Sequence, residues 1–307
     1  MSSLNTFESN VNEILLGYYC LGSWSGYNDL SYVKLNLNEK KEIIGEDKYL
    51  IQSSRAKIMA SASLHWAKNN GYKGDVKKVW WIGTRSGVFS RAIGYEVNSK
   101  TNPTDVLLQF ADGKFLGVSA KSYKVQSEVG IKNSGLGTID KDLGINLVNM
   151  YKKSEDDFIE EFELSPIAKV RKDQIRKNKN IVDASNEART LILNKLRNSF
   201  YTSLNKLSNN ELKNYIINDW MNANTVIRPN YIKVTGYGNK SPHTATVENP
   251  LKNNKMSYME TKPLKLQKIG NDTVGVLAGE HRIIKIRIQF SSQAMASSLK
   301  VLAFMWK

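Results

Sequence analysis

The stretch NPTDVLLQFADGKFLGVSAKSYK, residues 102–124, decides how the middle of this chain folds. Two short runs rich in Val, Leu and Phe, roughly 104–110 and 115–121, flank the pair Asp112-Gly113. An Asp-Gly pair between alternating apolar runs is a strong hairpin signal, because both residues accept the positive φ angles of a tight turn. The stretch therefore predicts two antiparallel strands, with an acid where the hairpin opens and a lysine on the returning strand.

The open end of this hairpin is expected to bring one carboxylate and one ammonium group together. With a two-residue turn, Asp105 falls opposite Ala120, and neighbouring strands lie about 4.8 Å apart. Asp105 and Lys121 then lie close enough to share one cation and one phosphate. Phosphodiester hydrolysis needs a divalent cation at the phosphate and a cationic group that orients the attacking water. The alternative is an ordinary hairpin whose Asp and Lys face solvent.

The segments around the hairpin predict a mixed fold. Residues 52–69 are rich in helix formers and end at Asn70-Gly71, and residues 77–83, KKVWWIG, predict a short strand. Residues 1–50 give no clear pattern. Further helices are predicted near 145–163, 183–207 and 209–222, and strands over 226–238, 282–290 and 299–306. The fold class is α/β (α+β), a central mixed sheet flanked by helices with a β-rich C-terminal part.

The hairpin motif resembles that of a known enzyme family. Pro103-Thr104-Asp105, thirteen intervening residues and Ser119-Ala120-Lys121 are similar to the motif of the PD-(D/E)XK nuclease superfamily, which includes restriction endonucleases, phage exonucleases and resolvases. The core of that family runs helix, three-stranded meander, helix, strand, and the resemblance covers residues 52–121. It implies a restriction-endonuclease-like core and a metal-dependent endonuclease that hydrolyses DNA, of restriction, phage or mobile-element type.

The resemblance also implies roles for single residues. Asp105 would bind Mg²⁺, for which Mn²⁺ can substitute, Lys121 would be the catalytic lysine, and the carbonyl of Ala120 would be a further ligand. Ser119 stands at the catalytic position where the family has Glu or Asp. In a Ser-x-Lys variant the missing acid comes from the following helix. The candidates are Glu128, which is nearest in sequence, Asp140, Asp142 and, upstream, Glu96. Alternatively the acid is absent, and the protein binds nucleic acid without cutting it.

The charge of the chain favours a polyanionic partner. It has 44 Lys+Arg against 29 Asp+Glu, a net charge of +15, which suggests DNA, although a Lys/Asn-rich coding bias gives a basic surface too. Basic residues cluster at 169–179, KVRKDQIRKNK, where several lie on one side of a helix. Pairing with the acidic stretch 154–163 is the alternative. The residues predicted to bind nucleic acid are Lys124, Lys132, Lys169, Arg171, Lys172, Arg176, Lys177 and Lys179.

Composition excludes other classes of protein. The single cysteine, Cys20, and the three histidines exclude a disulfide framework and a multi-cysteine zinc site. The glycine-rich stretch 130–144 lacks the GK[ST] of a phosphate loop, so no nucleotide cofactor is expected. No apolar run is long enough for a membrane helix and no secretory signal is seen, so we expect a cytoplasmic protein without a membrane partner.

The sequence patterns and the family resemblance also predict the domain organisation and the oligomeric state. The predicted parts are an N-terminal extension (1–50), a nuclease-like core with helical insertions (51–225) and a β-rich part (226–307) that can complete the same domain. A restriction enzyme with palindromic sites is expected to be a homodimer. A structural virus or phage protein with a basic interior surface is a third possibility, which predicts assembly without nuclease activity.

Overall fold

The computed structural model describes residues 4–83, 85–97, 102–123, 130–221, 230–250 and 254–306. The chain folds into two compact units, and each unit is built from two segments. Unit one comprises Met1–Ser127 and Asn222–Asn253, and unit two comprises Glu128–Met221 and Asn254–Lys307. The prediction of a mixed α/β protein is confirmed. Among the described helices, none has both the length and the apolar character needed to cross a bilayer.

Helices and strands alternate in groups along the described chain. The helices are α1 (Leu4–Leu21), α2 (Leu30–Ile44), α3 (Glu46–Asn69), α4 (Ser86–Ile93), α5 (Leu136–Leu143), α6 (Leu147–Glu161), α7 (Ala168–Lys177), α8 (Lys179–Leu204), α9 (Asn209–Tyr215) and α10 (Asn254–Thr261), and a π-helical turn, Ile216–Trp220, follows α9. The strands are β1 (Val76–Trp81), β2 (Val106–Phe110), β3 (Phe115–Tyr123), β4 (Gly130–Ser134), β5 (Tyr231–Tyr237), β6 (Thr244–Glu248), β7 (Leu264–Ile269), β8 (Thr273–Ala278), β9 (His281–Phe290) and β10 (Leu299–Met305).

The sheet of unit one has the strand order β1-β2-β3-β5-β6. Strands β1, β2 and β3 form an antiparallel meander, β5 runs parallel to β3, and β6 is antiparallel to β5. Side chains alternate between its faces, because successive residues of a strand point to opposite sides. Val106 and Val118 join the core formed with α1 and α3, whereas Leu107 packs with Trp80 and Phe89 on the other face.

The observed units divide the chain differently from the predicted ranges. Residues 4–50 pack in unit one, where Val11 and Ile14 of α1 are fully buried in the same core as Val118. The predicted C-terminal part, 226–307, contributes β5 and β6 to the sheet of unit one and β7 to β10 to the sheet of unit two. Each sheet is therefore complete only when segments that are distant in sequence pair with each other.

The hairpin of the opening stretch forms, but its predicted two-residue turn is wrong. Phe110 N donates to Lys114 O, so three residues form the loop, and Gly113 has a positive φ of 79°. A left-handed residue after a type I turn is the usual geometry of a three-residue hairpin loop. The register pairs Val106 with Val118, which shifts the neighbour of Asp105 by one residue, from Ala120 to Ser119.

The sheet of unit two is antiparallel, with the order β4-β10-β9-β8-β7. One of its faces is apolar: Val276, Ile286 and Val301 are fully buried, and α8 packs against β7, β8 and β9. On α8 the apolar residues Leu196 and Phe200 recur at a spacing of four and are fully buried, as the sequence pattern predicts.

Candidate active site

The candidate site centres on the carboxylate of Asp105, just before β2. Asp105 Oδ2 accepts a hydrogen bond from Ala120 N at 2.8 Å and one from Ser119 Oγ at 3.3 Å. The ammonium of Lys121 lies 3.4 Å from the same oxygen. Three successive residues of β3 therefore converge on one carboxylate, which is what the hairpin brings together at its open end.

Strand β3 carries core and site residues in alternation. Val118 and Ala120 join the apolar core with α1 and α3, whereas the side chains of Ser119 and Lys121 contact Asp105. The parallel strand β5 pairs Lys233 with Ser119 and Thr235 with Lys121. Paired residues of neighbouring strands share a face, which places a second lysine, Lys233, beside the site.

Lys233 is a residue that sequence reasoning missed. It is 4% exposed. Burial and the nearby charge of Lys121 lower its pKa to about 8, although the charges of Glu248 and Asp105 act in the opposite direction. The alternating pattern of β5 was readable from the sequence, but its parallel pairing with β3 was not, because about a hundred residues separate the two strands.

A second acid, Glu13 of α1, lies in the electrostatic field of the same site. It is 7% exposed and accepts a hydrogen bond from Trp81 Nε1 at 2.9 Å. Burial and the nearby charge of Asp105 raise its pKa to about 8, although the Trp81 bond and the charge of Lys121 act in the opposite direction. Sequence reasoning missed Glu13. The available signal was an acid within the apolar run VNEILLG, residues 11–17, all of which are buried.

Lys121 remains a cation in this setting. Burial lowers its pKa, but the charges of Asp105 and Glu13 and the contact with Asp105 outweigh that effect, so the pKa lies above its ordinary value. The side chain is 39% exposed and reaches the wall of a cavity of about 720 Å³. Lys121 can therefore act as a hydrogen-bond donor and a positive charge, and not as a base.

The cavity beside Lys121 has a polar wall. Arg55 of α3 is buried and donates to Gly238 O at 2.7 Å, Ser122 Oγ at 2.8 Å and Asn239 Oδ1 at 3.0 Å. Other lining residues include Glu8, Lys48, Gln52 and Tyr123. The cavity is large enough for a nucleotide-sized group, since ligand pockets usually measure about 300–1,000 Å³.

The acids predicted to replace the missing carboxylate have different surroundings. Glu128 lies outside the described residues. Asp140 accepts hydrogen bonds from Leu147 N and Val148 N and so caps the start of α6. Asp142 lies on α5 of unit two, whereas Asp105 belongs to unit one. Glu96 is exposed after α4.

The predicted nucleic-acid contacts are only partly on the surface. Arg171 is 3% exposed, and its guanidinium donates to Glu155 at 2.8 Å and to Met295 O at 2.6 Å. Lys172 lies 3.3 Å from Ser292 Oγ, Lys132 is half-buried on β4, and Lys124 is outside the described residues. Those exposed on or just after α7 are Lys169, Arg176, Lys177 and Lys179.

The donors at the site fit a hard divalent cation. Mg²⁺ prefers oxygen ligands, and it is usually held by one or two carboxylates together with water and substrate phosphate. Asp105, Glu13 and the Ala120 carbonyl are oxygen donors of that kind. Over the part of the chain that the structure describes, no group of three or more His, Cys, Asp or Glu side chains is arranged to hold a metal.

Comparison with known proteins does not assign this chain to a family. No protein-family model matches the chain, and no curated protein is significantly similar to it.

Proposed function

We propose that this protein is a Mg²⁺-dependent endonuclease that hydrolyses DNA phosphodiester bonds, of restriction type or from a phage or mobile element. The observation that carries the proposal is the 3.4 Å approach of Lys121 Nζ to Asp105 Oδ2 across neighbouring strands. The order helix, meander β1 to β3 and parallel strand β5 supports a restriction-endonuclease-like core.

Each residue of the site has a chemical role in this proposal. Asp105, Glu13 and the Ala120 carbonyl would hold Mg²⁺, with Glu13 supplying from α1 the carboxylate that Ser119 lacks. Bound Mg²⁺ would stabilise charge on the phosphate and make its coordinated water more acidic. The ammonium of Lys121 donates hydrogen bonds to the attacking water and to the phosphate oxygens, where negative charge builds up. Ser119 orients Asp105 through its hydroxyl.

The test is conversion of supercoiled plasmid to nicked and linear forms with Mg²⁺. We expect Asp105→Asn and Lys121→Ala each to lower the rate by about 10²-fold or more, as loss of a group that stabilises the transition state does. The same hairpin offers a matched control, because Asp112 and Lys114 form a similar pair, 3.3 Å apart, at its turn. Asp112→Asn and Lys114→Ala should cut like the wild type. Equal rates for Asp105→Asn and the wild type would sink the proposal.

A second candidate is a nucleic-acid-binding protein without catalysis. It is favoured by position 119, where serine replaces the family carboxylate, and by the three donors that already surround Asp105 Oδ2. The same experiment separates the two functions. A wild-type protein that retards DNA but leaves the plasmid intact with Mg²⁺ and with Mn²⁺ would establish the non-catalytic function.

A further inference from the structure

The sheet of unit two has a second face whose character is opposite to that of the face covered by α8. Residues alternate along each strand, so Lys265 of β7, Arg287 of β9 and Lys300 of β10 point away from the apolar side occupied by Ile286 and Val301. Lys265 and Lys300 are exposed. The side chain of Arg287 is 36% exposed, and its Nε lies 4.0 Å from Asp272 Oδ1 and donates to Thr273 Oγ1 at 3.3 Å. One side of this sheet is therefore an apolar core and the other is a basic surface.

Strand register spreads these cations over one face. Lys265 and Arg282 both pair with Leu277 of β8, from its two sides, and on β9 and β10 Arg287 pairs with Leu302 next to the pair Gln289–Lys300. Side chains on one face are about 5 Å apart between strands and about 7 Å apart along a strand. Residues 254–307 contain nine Lys and Arg against three Asp and Glu, so the surrounding charge is also positive.

Two arginines on this face are stacked on aromatic rings. Gly275 leaves space for the ring of Trp306, since a Cβ there would stand 2.4 Å from the indole. Arg282, which is exposed, lies over Trp306 at 5.3 Å, and Arg287 lies over Phe304 at 5.4 Å. Stacking restricts a guanidinium before any ligand binds, so it loses less freedom when it forms hydrogen bonds with a phosphate.

We propose that this basic sheet face, defined by Lys265, Arg282, Arg287 and Lys300, binds the phosphate backbone of duplex DNA. A duplex carries one negative charge per about 1.7 Å of its axis, so closely spaced cations on one surface meet several phosphates. The choice of DNA as the polyanion rests on the proposed function. The basic sheet face is favoured over α7 because Arg282 and Arg287 lie over aromatic rings, whereas on α7 Arg171 is buried in an ion pair and Lys172 bonds Ser292.

The test measures binding of a fluorescent DNA duplex by the full-length protein in EDTA over a range of KCl concentrations. The triple variant Lys265→Gln, Arg282→Gln and Lys300→Gln removes three exposed charges from the basic sheet face. The triple variant Lys169→Gln, Arg176→Gln and Lys177→Gln removes the same charges from exposed positions of α7 and is its matched control. The variant Lys265→Arg, Arg282→Lys and Lys300→Arg keeps the charge.

We expect the sheet-face variant to bind the duplex at least about tenfold more weakly than the wild type. The slope of the logarithm of the binding constant against the logarithm of the KCl concentration should also be smaller by about 2 to 3, because each lost phosphate contact removes about 0.9 from it. The α7 variant and the charge-keeping variant should retain wild-type binding within about threefold. Equal losses in the α7 and sheet-face variants, or an unchanged slope in the latter, would overturn the assignment. EDTA removes the metal, so DNA binding is measured independently of plasmid cutting. A wild-type protein that binds DNA through this face but never cuts the plasmid would refute the proposed nuclease activity and leave the proposed binding surface intact.

Discussion

Glu13 is a carboxylate held inside an apolar helix face, within the field of an ion pair. Burial and the charge of Asp105 raise its pKa to about 8, so at neutral pH it is mostly protonated while Asp105 and Lys121 pair with each other. A divalent cation held by both acids would require Glu13 to lose its proton, because metal ligands bind in their deprotonated form. At this site metal affinity and proton release are therefore linked.

The raised pKa of Glu13 predicts how stability depends on pH. Its folded pKa of about 8 lies above its ordinary value of 4.5, so between these values the folded protein holds a proton that the unfolded chain has released. The stabilising contribution is complete below about pH 4.5 and falls by about 1.4 kcal/mol per unit as pH rises towards 8. Glu13→Gln mimics the protonated form and should lack this fall. Urea unfolding from pH 5 to 9 without metal measures it, and parallel pH profiles for the two proteins would contradict it.

At the level of secondary-structure elements, local patterns were readable and distant pairings were not. The hairpin, the helix α3 and the strand β1 follow from alternation and helix formers within a few neighbouring residues. The register of the hairpin was missed by one residue, because loop length, and not composition, sets it. Glu13 was missed because only the packing of α1 beside the hairpin brings it near Asp105, and a sequence shows no such packing directly.

The pairing of β3 with β5 depends on a glycine. A Cβ on Gly117 would stand 2.1 Å from Thr104 Oγ1 and 3.0 Å from Tyr231 Cβ. Gly117→Ala should therefore lower the free energy of unfolding by about 1–3 kcal/mol, as overpacking does, and Thr104→Ala in the same chain should restore part of it. Gly137→Ala on α5 is the control, since its Cβ would meet only a methyl of Val148 at 3.9 Å. Urea unfolding measures all four proteins; a Gly117→Ala protein as stable as the wild type would contradict the steric argument.

At the level of the whole molecule, the two units are interleaved in sequence. Residues Glu128–Met221 of unit two separate β3 from β5, which are neighbours in the sheet of unit one. The sheet of unit two is likewise built from two segments: β4 precedes Asn222–Asn253, the segment that belongs to unit one, and β7 to β10 follow it. Composition and net charge can be read directly from the sequence. The interleaving of the two units cannot, because it depends on which strands pair across long stretches of chain.

Because the units are interleaved, we expect two C-terminal truncations to have different effects on the sheet of unit one. A chain ending at residue 253 keeps every described element of unit one but loses β7 to β10, so the apolar face of α8, with Leu196 and Phe200, loses its sheet. A chain ending at residue 225 also loses β5 and β6, and with them the parallel partner of β3. Hydrogen exchange should therefore show protected β3 amides in the longer fragment, exposed β3 amides in the shorter one, and unprotected α8 amides in both. Equal protection of β3 in the two fragments would show that β5 is dispensable for the sheet that carries Asp105 and Lys121.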